Sequence, residues 1–165
     1  MLKGLLTFGL LAVALTPLTA NAAGPLDGRC LSRITVDSRE LRDKGGVGAA
    51  DILDKRLPQQ LREAFADRFG CRGGLTLVVR LQTISLPIAG SGSSVFGGVP
   101  MDSLKGESLL VSGRQTIATY PLTARASADI AGYLDPGYSP EVRLRRLQNL
   151  AEAFAGWLRV HYVGS

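Results

Sequence analysis

Histidine and cysteine are scarce in this chain, and their scarcity limits its chemistry. Among 165 residues there is one histidine, His161, and there are two cysteines. A structural zinc site takes four ligands from these residue types, so the chain does not supply one. No motif places a nucleophile or an orienting acid beside His161, and we expect it to be a packing or surface residue. The sequence therefore predicts neither a metal site nor a catalytic site.

Motifs for cofactor binding and covalent catalysis are also missing. No glycine is followed by lysine, as a phosphate-binding loop requires, and Gly46 and Gly48 lack the third glycine of a dinucleotide site. The serines Ser91, Ser93 and Ser94 do not form the Gly-x-Ser-x-Gly elbow of a hydrolase. We expect no cofactor and no enzymatic activity.

The first 22 residues have the three parts of a secretory signal peptide. Lys3 provides a positive charge, residues 5–15 are almost all apolar, and Ala20-Asn21-Ala22 supplies small residues for cleavage. The apolar stretch is shorter than the roughly 20 residues of a membrane-spanning helix, which is the alternative interpretation. We expect cleavage after Ala22 and export to the periplasm. Since no cysteine follows directly, we expect no lipid anchor.

The rest of the chain, residues 23–165, has the composition of one folded domain. Hydrophobic residues make up 45% of the sequence and charged residues 20%, so disorder is not expected. The net charge is +5, and loss of Lys3 with the signal peptide lowers it to +4. This mild excess is compatible with anionic lipid headgroups, whereas a nucleic-acid partner is not expected for an exported protein.

The chain has two cysteines, Cys30 and Cys71. Because their number is even and the chain is expected to enter an oxidising compartment, a disulfide between them is favoured. Two free buried thiols are the alternative. The wide separation, without a Cys-x-x-Cys motif, indicates a structural bridge rather than a redox-active one.

Hydrophobic periodicity predicts four strands. Alternation of apolar and polar residues indicates strands over residues 30–36, 75–88, 104–111 and 116–127. Pro121 assigns the last strand to a sheet edge or a bulge.

Two helices are predicted beside these strands. The first follows a loop at residues 38–48, and its apolar residues recur at every fourth position: Leu53, Leu57, Leu61, Phe65 and Phe69. Pro58 either lies in its first turn or kinks it, and Gly70 ends it. The second begins at Ser139-Pro140-Glu141 and buries Leu144, Leu147, Leu150, Ala151, Phe154, Trp157 and Leu158.

The predicted order is β-α-β-β-β-α, an α+β fold with two helices packed on one face of a mixed four-stranded sheet. If the first two strands are parallel neighbours, both begin at the same end of the sheet. Cys30 and Cys71 stand at those two starts, so this topology brings the sulfurs together.

This element order behind an export signal, with apolar runs such as residues 75–81, resembles the small periplasmic accessory domains of the Gram-negative envelope. In element order it resembles the fold of the lipopolysaccharide-assembly lipoprotein that plugs an outer-membrane barrel, two helices against a four-stranded sheet, and the resemblance covers most of residues 29–162. That family is lipidated at an N-terminal cysteine, which is missing here. The resemblance implies an envelope accessory protein and assigns no residue a role.

A glycine-rich segment from Gly90 to Met101 is the first candidate contact site. It carries four apolar side chains: Val95, Phe96, Val99 and Met101. Exposed apolar groups on a loop commonly mark a contact surface. The alternative is a hairpin tip that folds back and buries Phe96.

Arg143, Arg145 and Arg146 form the second candidate site, at the start of the last helix. Cations are disfavoured there by the helix dipole, which Glu141 offsets in part through a pair with Arg145. Either the arginines are simply solvated, or their guanidinium groups bind an acidic partner or phosphate-bearing headgroups.

These signals predict a non-enzymatic adaptor that docks on an envelope or outer-membrane protein complex through a free strand edge or the segment 90–101. One alternative is a carrier that holds a lipid or a small apolar ligand between sheet and helices. A small envelope enzyme without a recognisable motif is the other.

Overall fold

The computed structural model describes residues 24–26, 28–87, 101–127 and 139–164. These residues form one four-stranded sheet and three α-helices, which confirms the predicted α+β class. The predicted signal peptide, 1–22, lies outside the described residues. In chain order the elements are β1 (Leu31–Asp37), α1 (Arg39–Asp43), α2 (Val47–Ala64), β2 (Leu75–Ser85), β3 (Met101–Ser112), β4 (Gln115–Ser127) and α3 (Pro140–Val163).

The strands lie in the order β1-β2-β3-β4, and the sheet is mixed as predicted. β1 and β2 are parallel, while the other two pairs are antiparallel. The alternation of apolar and polar side chains along each strand determines which face of the sheet is buried. In β2 the side chains of Leu75, Leu77, Val79 and Leu81 are all buried, and those between them are not. Pro121 lies in β4, which is an edge strand as the proline predicted.

α2 and α3 pack against each other and cover the buried face of the sheet. Gly106 in β3 makes this close approach possible. A Cβ at this position would lie 3.3 Å from the Phe154 ring of α3 and 2.5 Å from the carbonyl oxygen of Arg80. The layer between sheet and helices is therefore closely packed with side chains in the described part of the chain.

Two details of α2 differ from the sequence prediction. The segment 38–48, expected as a loop, contains α1, and α2 begins at Val47 with Pro58 in its interior. Pro58 has no amide hydrogen to donate within the helix. Leu53, Leu57 and Leu61 have no exposed surface, and burial of this stripe outweighs the missing hydrogen bond. None of the described helices is both long and apolar enough to span a membrane.

The end of α2 also differs, because the helix stops at Ala64 rather than at Gly70. Phe69 has extended backbone angles and forms a bridge with Leu31 of β1. The amide of Gly70 donates to the carbonyl oxygen of Leu31 at 2.9 Å. The chain leaves the helix early because these residues join the sheet.

The predicted disulfide between Cys30 and Cys71 is confirmed. Their Cα atoms are 6.3 Å apart, at the common starting end of the parallel strands β1 and β2. The amide of Leu75 also donates to the carbonyl oxygen of Cys30 at 2.9 Å. Bridge and backbone hydrogen bond thus join the same two strand starts.

Candidate functional site

A buried ion pair joins α3 to the start of β3. The Nε of Arg146 donates to Oδ2 of Asp102 at 2.8 Å, and Nη2 donates to Oδ1 of the same carboxylate. Nη2 also donates to the carbonyl oxygen of Pro87, just beyond β2, at 3.0 Å. Both Arg146 and Asp102 are fully buried. One guanidinium group therefore holds three parts of the chain together.

The interpretation of Arg146 as a surface contact residue was wrong. On α3 it is followed directly by Leu147 in the helix face that packs on the core, so it cannot reach an external partner. The sequence contained a signal that was missed. Asp102 lies on the same buried face of β3 as Leu104 and Leu110, and a carboxylate buried on that face requires a cation as its partner.

The start of α3 confirms the predicted capping residues. The amide of Val142 donates to the Oγ of Ser139 at 3.3 Å, and Pro140 occupies the first turn. Arg143 and Arg145 are exposed within the first two turns of the helix. Among the described residues Arg143 forms no ion pair, and its Nη2 lies 3.1 Å from where a Cβ on Gly48 would stand. Arg143 therefore contributes a positive charge at the surface.

The ion pair contacts the chain on both sides of the glycine-rich segment. Pro87 lies before the segment, and Met101 is its last residue, with 43% of its surface exposed. The candidate residues Val95, Phe96 and Val99 lie outside the described residues. Since Arg146 binds Asp102 next to Met101, and Arg143 lies one helical turn before Arg146, Met101 and Arg143 reach the surface at the same end of the domain.

A cleft of about 300 Å³ opens beside Arg143 at this end. Its walls come from the α1–α2 turn, the end of β2 and the first turn of α3, and they include Leu41, Lys44, Ile84 and Leu86. We call Met101, Arg143, Arg145 and this cleft the loop-end surface. This surface combines apolar and cationic groups, and the ion pair of Arg146 fixes the position of α3 relative to β3 beneath it.

A second cleft, of about 320 Å³, borders α1 and has a different charge balance. Nε and Nη2 of Arg39 donate to the two carboxylate oxygens of Asp37 at 2.9 and 2.6 Å. These hydrogen bonds lower the pKa of Asp37 to about 2. Arg39 is therefore paired within this cleft, whereas Arg143 at the loop-end surface forms no ion pair among the described residues.

His161 is half-buried and packs against two aromatic rings, those of Tyr120 and Tyr162. Its ring stacks on that of Tyr120, with centroids 3.5 Å apart and planes 9° from parallel. Burial lowers the pKa of His161 below its ordinary value of 6.5, because the imidazolium form is less well solvated there. Within the described ranges, no three His, Cys, Asp or Glu side chains form a group that could hold a metal ion.

Neither a protein-family model nor a curated protein matches this chain. Solved structures are similar at low identity, among them the following three. A protein described as a lipoprotein from Caulobacter crescentus is 14% identical, covers 77% of this chain and 85% of its own, and has a TM-score of 0.44. A protein from Xanthomonas campestris is 12% identical over 91% and 93% of the two chains, with a TM-score of 0.47. A minor lipoprotein from Acinetobacter baumannii is 13% identical over 78% and 89%, with a TM-score of 0.41. At these identities and TM-scores, no residue role and no function is transferred to this chain.

Proposed function

We propose that this protein is a non-enzymatic accessory protein of the cell envelope that acts by protein–protein contact through its loop-end surface. The observation that carries the proposal is the buried pair between Arg146 and Asp102, with its further hydrogen bond to Pro87. A buried ion pair adds little net stability compared with well-packed apolar side chains. Here the pair instead fixes the start of β3, which carries Met101, relative to the start of α3, which carries Arg143.

The composition of the surface favours a protein as the partner. Methionine and arginine are enriched in protein interfaces. Here Arg143 lines the cleft, and Met101 is exposed at the same end of the domain on the outer face of the sheet. Arg143 has no counter-ion among the described residues, so an acidic group on the partner would complement it. Guanidinium groups suit carboxylates because they offer paired donors. The expected partner surface is apolar with acidic groups around it.

Two features support the envelope as the location. The disulfide between Cys30 and Cys71 is of the kind that persists in oxidising compartments. Residues 1–22 have the pattern of a signal peptide. Val95, Phe96 and Val99 remain predicted members of the contact site.

Site-dependent capture tests the proposal. The protein is purified from envelope extracts of its host with Met101→Ser and Arg143→Glu combined, and bound proteins are compared with those of the wild type. The matched control is Arg114→Glu, an exposed arginine at the opposite end of β3, in the turn to β4. We expect the double variant to lose a defined partner that the control retains.

Two results would contradict the proposal. One is equal retention of every bound protein by the double variant and the control. The other is a lipid, detected by mass spectrometry after native purification, that accounts for binding in place of a protein. The latter would support the carrier interpretation.

A further inference from the structure

Each strand of the sheet carries one basic residue, and all four of these side chains lie on the outer face, away from the helices. They are Arg33 in β1, Arg80 in β2, Lys105 in β3 and Arg125 in β4. All four are exposed, and each is next in sequence to a buried residue of the inner face. Because side chains alternate between the two faces of a strand, the basic residues point outward. We call these four residues the basic stripe.

The strand register places the basic stripe on a diagonal across the sheet. Arg33 lies beside Thr76, near the disulfide end of β2. Lys105 lies beside Thr123 of β4, and Arg125 is two residues further along β4, toward the loop end. Such diagonal neighbours in antiparallel strands are about 7–8 Å apart. The stripe therefore crosses the whole sheet from one end to the other.

Both acids on the outer face already have cationic partners. The Glu107 carboxylate lies 3.2 Å from the guanidinium group of Arg80, and that of Asp37 lies 2.6 Å from Arg39. The other acid of the strands, Asp102, faces inward and is buried. Apart from Arg80, the cations of the basic stripe form no ion pair among the described residues. Three positive charges without counter-ions therefore share one face, and an anionic surface would complement them.

From this arrangement we infer that the basic stripe binds an anionic membrane surface, with phosphate-bearing lipid headgroups as its ligands. Guanidinium and ammonium groups both form charge-assisted hydrogen bonds to phosphate oxygens. Headgroups move laterally and can meet charges that are spread over a twisted sheet, whereas an acidic protein would need carboxylates fixed at the same spacings. Each cation near an anionic membrane strengthens binding roughly fivefold, so the contact is reversible and sensitive to salt.

The membrane contact goes beyond the proposed function, because no residue of the basic stripe belongs to the loop-end surface. It orients the domain with the outer face of the sheet toward the lipid and with α2 and α3 away from it. Trp157, predicted to be buried, is 57% exposed on α3 and then faces water. The cleft beside Arg143 is on the helix side of the sheet and stays open to a protein partner.

Co-sedimentation with lipid vesicles tests the inference on the protein as its host processes it. We expect binding to vesicles of equal parts phosphatidylglycerol and phosphatidylcholine, and none to phosphatidylcholine alone. Lys105→Gln combined with Arg125→Gln is expected to lower the affinity at least about tenfold. Exchange of the two cations, Lys105→Arg with Arg125→Lys, is expected to retain binding because both charges remain.

The matched control is Lys55→Gln combined with Arg56→Gln, which removes the same two residue types from exposed positions on α2. Its affinity is expected to stay within about threefold of the wild type, because α2 lies on the other side of the sheet, beyond a Debye length of about 10 Å. Unchanged circular dichroism spectra show that the variants are folded.

Tryptophan fluorescence shows which side of the domain meets the lipid. The single tryptophan, Trp157, is expected to keep its emission wavelength when phosphatidylglycerol vesicles are added. In a Trp157→Phe background, Thr123→Trp places an indole on the outer face beside Lys105. Its emission is expected to shift to shorter wavelength as the indole leaves water.

Three results would overturn the inference. One is equal loss of vesicle binding in the Lys105–Arg125 variant and in the control, which would indicate a response to net charge alone. Another is a shift of the Trp157 emission on vesicles, which would place the lipid on α3. The third is a wild type that does not bind phosphatidylglycerol vesicles; if the Lys105–Arg125 variant then also loses a protein from envelope extracts, the ligand of the stripe is an acidic protein.

Discussion

The guanidinium group of Arg146 and the carboxylate of Asp102 form a two-point ion pair with no exposed surface, linking α3 to β3. A charge that loses its partner in such a place cannot be solvated by water. The pair therefore matters more through the consequence of breaking it than through the attraction it contributes.

Arg146→Met is expected to lower the free energy of unfolding by about 3–5 kcal/mol, because Asp102 remains buried without a counter-ion. Urea denaturation measures the change. Adding Asp102→Leu is expected to recover most of the loss, since an apolar pair fills the same space. Arg143→Met, on the exposed side, is expected to stay within about 0.5 kcal/mol of the wild type. Equal losses in Arg146→Met and Arg143→Met would contradict this account.

Replacement of both Cys30 and Cys71 by alanine is expected to lower the free energy of unfolding. The cysteines are 41 residues apart, and closing a loop of this length restricts the unfolded chain by about 4 kcal/mol. Reductant should destabilise the wild type by a similar amount and leave the double variant unchanged. Destabilisation of the double variant by reductant would refute the explanation.

Lowering the pH through 6.5 is expected to destabilise the protein through His161. Burial lowers its pKa in the folded state, so the unfolded state takes up more protons between the lowered value and the ordinary value of 6.5. Stability is therefore higher above 6.5 and falls below it, until the pH passes the folded-state pKa. His161→Phe keeps a ring on Tyr120 and removes this dependence. Melting temperatures against pH, with an NMR titration of the imidazole, check it. An NMR midpoint at or above 6.5 would count against it.

Two glycines are expected to respond in opposite directions to the same change. Gly106→Ala places a Cβ 2.5 Å from the carbonyl oxygen of Arg80, and the forced shift is expected to cost about 1–3 kcal/mol. Gly156→Ala adds a Cβ in open space on α3 and is expected to stabilise it by up to about 1 kcal/mol. Thermal unfolding of dilute samples measures both effects. Stabilisation by Gly106→Ala would show that the packing around Gly106 is looser than described, and destabilisation by Gly156→Ala would show that the space at Gly156 is not open.

The spacing of apolar and polar residues along the chain was sufficient to predict most of the helices and strands. Alternation in β2 identified the buried side of the sheet, and the four-residue spacing of Leu53, Leu57 and Leu61 identified α2. Ser139 and Pro140 located the start of α3 to the residue. These signals are readable because each depends on neighbours in sequence. Of the two alternatives for Pro58, the first-turn position is wrong, because α2 begins at Val47 and burial of the stripe outweighs a local helix breaker.

The candidate site was predicted less well. Arg146 was grouped with Arg143 and Arg145 because the three are close in sequence, and the structure separates them by burial. Trp157 was assigned to the core because it is apolar and near the stripe, and it lies on the outer side of the helix. A helical position one residue away points about 100° around the axis. Sequence proximity therefore says little about which face a residue occupies.

By itself the sequence determined the element order, the buried alternation of the strands and the pairing of Cys30 with Cys71, because these follow from periodicity and from the common end of two parallel strands. Only the tertiary structure decided that Asp102 and Arg146 neutralise each other inside the domain, and that Trp157 lies on the side of α3 that faces away from the core. Both depend on residues that folding brings together or turns outward, and no spacing along the chain encodes that directly.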